Sequence, residues 1–190
     1  MGVLNLEDQL SFYMAYHHDK VNIFIHTVCV PIILVTSFTF CTNTGPLIPQ
    51  LSVSMAQYTN LGVLAAIGYA MFYVLLDPAV GLLVAPFVVG SAVVATDSVA
   101  QHGMYANYVA IVLFGVSWIA QFIGHGMFER RAPALLDNLV QALVLAPFFV
   151  VFEVIFKLGF RKELQARLET RVEQELKKFK ASEPSPAPKN

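Results

Sequence analysis

The chain has 190 residues, 56% of them hydrophobic and only 13% charged, with a mean hydropathy of +0.61. Of its 12 Lys and Arg, Lys20 is the only one before Arg130, so residues 21–129 carry none. A water-facing surface needs interspersed charge, so this pattern excludes a soluble domain, a disordered chain and a nucleic-acid binder, and leaves a small all-α membrane protein.

The first fifteen residues hold two acids and no basic n-region, so no signal peptide is read there. Four apolar stretches follow, at 22–40, 60–76, 78–96 and 105–125, each near the length that crosses a bilayer as a helix. Pro31 and Pro86 lie inside two of them, which membrane helices tolerate because neighbours satisfy the freed carbonyls. A fifth stretch, 134–158, is broken at Pro147 and carries Asp137, Asn138, Gln141 and Glu153. Loops 41–59 and 97–104 lack Lys and Arg, whereas 126–133 and the segment after 157 have them, which places both termini in the cytosol after four crossings. A fifth crossing would put the basic tail on the wrong side. The segment 134–158 is therefore predicted to be a re-entrant or interfacial helical hairpin turning near Pro147. Its aromatics, Phe148, Phe149, Phe152 and Phe156, are expected to face lipid.

Beyond it, Leu164, Leu168, Val172 and Leu176 recur every four residues among charges, the pattern of a cytosolic amphipathic helix. The last ten residues, rich in Pro and Ser, read as disordered. The expected division is thus a polytopic membrane catalytic domain at 1–160, a basic amphipathic helix at 161–180 and a tail at 181–190.

Two polar arrays interrupt this apolar chain. His18, Asn22 and His26 stand at i, i+4 and i+8, on one face of a helix at the start of the first span. Gln121, His125 and Glu129 repeat the spacing at the end of the fourth. With four crossings both arrays reach the same membrane face, a geometry that suits a metal site. A single interfacial histidine is more often structural; two converging arrays reverse that balance. His17 points about 100° away from His18 on a helix and is expected behind the ligands or at the surface. His102 falls in a predicted lumenal loop, away from the site. Asp137 and Glu153 either line the cavity or pair with Arg130, Arg131 or Lys157. Imidazole and carboxylate without thiolate suit iron, zinc or manganese, and so either oxygen chemistry or hydrolysis.

At these residues, YHHDKVNIFIHTVCVP and WIAQFIGHGMFERRAPALLDNLVQALVLAPFFVVFEVIFKLGF, the chain resembles the 2-hydroxy fatty acid dioxygenase family of yeast, other fungi and bacteria. The resemblance runs from about Leu6 to Phe160, through hydropathy alone in 41–105. It implies an endoplasmic reticulum membrane enzyme that uses Fe(2+) and O2 to shorten long-chain 2-hydroxy fatty acids by one carbon in phytosphingosine breakdown. On that pattern His18, His26 and His125 are the iron ligands and Glu129 the catalytic acid–base group or a fourth ligand. Beside them, helix spacing makes His17, Asn22 and Gln121 supporting residues, and Arg130 or Arg131 either attracts the substrate carboxylate or only anchors the cytosolic face as positive-inside charge. The absence of a Gly-rich nucleotide motif agrees with a reaction that needs no nicotinamide. Two alternatives stand beside it: a non-catalytic lipid-binding or scaffold protein, and a zinc-dependent lipid hydrolase.

Overall fold

The structure, a computed structural model, describes residues 2, 4–130 and 141–182, and among these every regular element is helical. Helix α1 spans Leu6–Tyr16 and α2 spans Lys20–Thr42. A single turn, α3 (Val53–Ala56), precedes α4 (Leu61–Leu76), and α5 is Pro78–His102. Helix α6 (Met104–Ile123) continues into a π-helical turn at Gly124–Glu129. A second π-helical stretch, Gln141–Leu145, leads into α7 (Ala146–Lys157), and α8 is Lys162–Ser182.

Side-chain caps explain several helix starts. Asn5 accepts from Asp8 N, and Asn60 from Val63 N, both at 3.1 Å. Asp77 is the whole connection between α4 and α5: its Oδ1 accepts from Ala79 N and Val80 N, at 3.1 and 3.0 Å, and Pro78 supplies the preset φ of a first helical residue. Gly81 lets the two helices close at once, because a Cβ there would lie 2.5 Å from the Tyr73 carbonyl.

Helix α2 is the axis of the bundle, touching α4, α5, α6 and α7. Among the described residues three helical runs are long and apolar enough to cross a membrane: Lys20–Thr42, Pro78–His102 and Met104–Glu129. The number rises to five if two bent pairs each count as one span. Phe24, Leu75, Leu82, Phe87 and Ile119 point outward and are exposed, an apolar exterior that suits lipid and not water. Polar groups turn inward. Thr42, Asn60 and Thr96 bond one another, and Asn43 exchanges amide hydrogen bonds with Asn107 at 2.7 and 3.1 Å. This network closes one end of the bundle. The opposite end holds Lys20, the Asp77–Arg161 ion pair at 3.2 Å and the α1–α8 contact.

Three expectations change. The predicted span at 60–76 is a helix of 16 residues, short of the roughly 20 a bilayer needs. It reaches span length only with residues 53–59, from which it is bent by 64°. The predicted reversal at Pro147 is not found: the helix runs through it from Leu143 to Lys157, and the bend, 115°, comes before Lys162. Pro147 stands in the first turn of α7, directly after the π-helical stretch, a position where a helix accepts proline without reversing. Residues 131–140, with Asp137 and Asn138, and the tail from 183 onward lie outside the described residues. Finally, Phe148, Phe149 and Phe152 are 0% exposed and Phe156 8%, so they form core and not a lipid-facing stripe. Phe148 stacks on Tyr73 at 4.5 Å and Phe149 tilts against Tyr13 at 4.8 Å, tying α7 to α4 and α1.

Helix α8 is not free. Its buried stripe, Leu164, Leu168 and Val172, seats it beside α1. Arg167 bonds Glu7 at 2.8 Å and Arg171 bonds Asp8 at 3.1 Å.

Candidate metal centre

The site begins at the break between helices α1 and α2. Helix α1 ends at Tyr16 and Asp19 caps α2, its carboxylate accepting from Val21 N and Asn22 N at 2.8 and 3.2 Å. The histidine pair His17–His18 therefore lies between helices, where the continuous-helix spacing assumed for His18, Asn22 and His26 does not apply. His17 turns inward and is 5% exposed, while the His18 side chain is 53% exposed.

His17, His26 and His125 converge. One ligand nitrogen from each lies within 4.8 Å of the others, and all three residues are buried. Their ring centroids are separated by 4.4, 4.8 and 4.9 Å, each pair edge-on. This is the only such group of three potential metal ligands among the described residues. His18, expected as a ligand, is outside it, and His17, expected behind the ligands, is in it.

Hydrogen bonds aim two of the rings. His17 Nδ1 donates to the Tyr13 carbonyl at 2.9 Å, and His26 Nδ1 donates to the Asn22 carbonyl at 3.0 Å. A carbonyl only accepts, so each Nδ1 holds the proton and each Nε2 keeps its lone pair, the form in which imidazole binds metal. Tyr13 stacks on the His17 ring at 4.0 Å and fixes its plane. Burial, with the His26 ring next to it, holds His17 far below the ordinary imidazole range and so neutral. His17 Nε2 and His125 Nδ1 are buried with no hydrogen-bond partner. Buried polar nitrogens without partners are rare, and a cation at their meeting point would satisfy them. The residues present therefore fit a metal ion.

Glu129 does something else. Its carboxylate accepts from His18 N and Asp19 N at 3.1 Å each and from Asn22 Nδ2 at 3.0 Å, and it also meets the His18 ring nitrogen. The π-helical turn is thereby fastened to the start of α2, which positions His17, directly before the first of those amides, and His125, four residues earlier than Glu129 on its own turn. Gly124 permits the approach: a Cβ there would collide with Asn22 Oδ1. Asn22, fully buried, thus supports the ligands through its own carbonyl and through Glu129. Gln121 is buried one turn before His125, its Nε2 unpartnered. Arg130 is exposed at the end of the π-helical turn, in the left-handed region with φ 55°; Arg131 lies outside the described residues. His102 ends α5 and is exposed, away from the cluster. Glu153 is half-buried, one turn from Lys157.

Tyr13 was missed as a site residue, and His17 was expected behind the ligands and not among them. The signal that would have found them is Asp19 itself: an Asp just before an apolar run marks a helix start, and with the start at 20 the preceding pair cannot share α2's face.

A 2-hydroxy-palmitic acid dioxygenase Mpo1-like family model matches residues 3–158. The chain belongs to this family. Over 150 residues it is 39% identical to the 2-hydroxy-palmitic acid dioxygenase MPO1 of Saccharomyces cerevisiae, a match covering 78% of this chain and 79% of that protein. All three clustered histidines and Glu129 fall within the family match. No solved structure matches the chain. Family membership supports an enzyme, and a dioxygenase, over a scaffold protein.

Proposed function

We propose that the protein is an iron(II)-dependent dioxygenase of the endoplasmic reticulum membrane that converts long-chain 2-hydroxy fatty acids to acids one carbon shorter, as in phytosphingosine breakdown. The observation that carries this reading is the buried triad His17, His26 and His125 in a chain related to a protein named for that activity. Written out, R–CHOH–COOH and O2 give R–COOH, CO2 and H2O, which balances without another reductant. Iron(II), when bound, would supply the redox centre that O2 needs, while three imidazoles leave further coordination positions open.

The chain's own residues do the positioning. The Tyr13 and Asn22 carbonyls hold the His17 and His26 protons on Nδ1, so both Nε2 atoms stay available. Tyr13 and Phe149 wall the His17 side with aromatic surface and exclude water. Glu129, with its carboxylate already engaged by three N–H donors, is a positioning residue in this reading, where the resemblance implied a proton acceptor or a fourth ligand. Arg130 and Arg131 draw the substrate carboxylate to the same face. His18, facing outward against Glu129, is no ligand. Both termini are cytosolic, which puts the triad near the basic face of the membrane.

Anaerobic loading of the purified protein with Fe(II), followed by an oxygen-dependent assay of 2-hydroxypalmitate, tests the reading. Turnover to pentadecanoate is expected, and its loss in His17→Ala, His26→Ala and His125→Ala. Full activity in all three variants sinks it. Three neutral imidazoles are also a catalytic zinc set, so a zinc-dependent lipid hydrolase is the second reading. That activity would persist under nitrogen, where the dioxygenase stops.

A further inference from the structure

A cavity of about 230 Å³ lies between α2, α4, α6 and α7, inside the apolar part of the bundle. One end is marked by Val30 and Gln121, the other by Phe38, Cys41 and Ala65. Val30 is one helical turn from His26 on α2, and Gln121, near the end of α6, is one turn before His125 on the π-helical turn, so this end adjoins the triad. Along α2 the lining runs from Val30 to Cys41, roughly 16 Å at about 1.5 Å per residue. A small volume drawn out over that length is narrow, with width for a single unbranched chain.

Polarity is unequal along it. Gln121 Nε2 and Trp118 Nε1 are buried without partners, and both residues line the cavity. Two N–H donors left unpaired in an apolar interior call for an acceptor from outside the chain. Tyr69, which also lines the cavity, has its hydroxyl engaged by the Leu143 carbonyl. Towards Phe38 and Ala65 the wall is mainly apolar, and the Ser37 hydroxyl there is engaged by the Ile33 carbonyl at 2.7 Å.

We infer that this cavity holds the alkyl chain of the 2-hydroxy acid, with its oxygens at Gln121 and the triad and its methyl end against Cys41 and Ala65. The inference rests on the proposed dioxygenase reading and adds to it the residues that set chain length. From His26 to Cys41, α2 advances roughly 22 Å, and an extended chain with C–C bonds of about 1.5 Å covers that in roughly sixteen to eighteen carbons. Branched chains are excluded by width, and longer ones by the Cys41–Ala65 end.

The test fills that end. Full-length Ala65→Leu and Cys41→Phe, iron-loaded, are assayed on unbranched 2-hydroxy acids of ten to sixteen carbons, and the same acids are used anaerobically to displace a fluorescent fatty acid. In both variants kcat/KM for the sixteen-carbon acid is expected to fall at least about tenfold relative to the ten-carbon acid, the scale on which a few methylenes discriminate. Turnover of the ten-carbon acid persists and shows that the variants fold. Gly68→Leu, on the open outer face of α4, keeps the wild-type profile. If Cys41→Phe fails to fold, Ala65→Val shifts the profile in the same direction. An unshifted length profile in the filled variants overturns the inference. Shifted displacement without turnover in the wild type keeps the cavity assignment and refutes the dioxygenase; turnover with an unshifted profile does the reverse.

Discussion

At the His17–His18 pair, one step along the chain separates a triad member from a surface side chain. The distinction predicts that His17→Ala loses bound iron as completely as His26→Ala or His125→Ala, while His18→Ala retains it. Metal analysis of the four purified variants decides this, and iron retained in His17→Ala would disprove it. Glu129→Gln puts an NH2 group where backbone donors need an acceptor, so it is expected to cost about 1–3 kcal/mol in thermal unfolding of the metal-free protein. The buried His17 adds a pH dependence. Its folded pKa lies below that of the unfolded chain, so the unfolded state binds more protons as pH falls through about 6.5. Stability of the metal-free protein therefore declines in that direction and is unaffected by this group above it. A His17→Phe variant with the same acid-limb slope would remove His17 as the cause.

At the scale of elements, apolar contact and charge contribute unequally to docking α8 on α1. Leu168 is 0% exposed, and Leu168→Ala should cost about 2–5 kcal/mol as a buried truncation. The Arg167–Glu7 pair is partly exposed, and such pairs contribute about 0–1 kcal/mol. Hydrogen exchange across 162–174 is therefore expected to rise sharply in Leu168→Ala and hardly at all in Arg167→Ala; equal effects would contradict this ranking. The amphipathic stripe itself was legible in the sequence, because period-four leucines among charges admit one buried face. Its partner was not, since α1 lies about 160 residues earlier in the chain. The π-helical turn was also hidden: GHGMFE continues α6 in composition, and only the packing of Gly124 on Asn22 shows why the backbone widens there. Gly124→Ala should destabilise by about 1–3 kcal/mol through overpacking and lower iron occupancy with it.

Across the whole molecule, the long run without Lys or Arg separates two chemically different ends. One is closed by amides and hydroxyls, with Asn43 paired to Asn107. The other gathers the ion pairs and the α1–α2 link that carries His17. The same end carries α1 and α8, so tags placed before Leu6 and after Ser182 are expected to be cleaved from the same side of sealed vesicles, with a cysteine label at Gln50 reached from the other. Cleavage of the two tags from opposite sides would refute the topology.

By itself the sequence determined the helical class, the apolar runs and the two histidine-bearing ends of α2 and α6, because charge depletion and helical spacing are properties of neighbours along the chain. It also carried the family, through two motif blocks. Only the tertiary structure decided that His17 and not His18 meets His26 and His125, that Glu129 fastens the α1–α2 break, and that the α7 phenylalanines are core. Each of these depends on where the backbone leaves helical geometry and on which distant helix then packs against it, and both follow from burying side chains and satisfying buried N–H groups across the whole bundle.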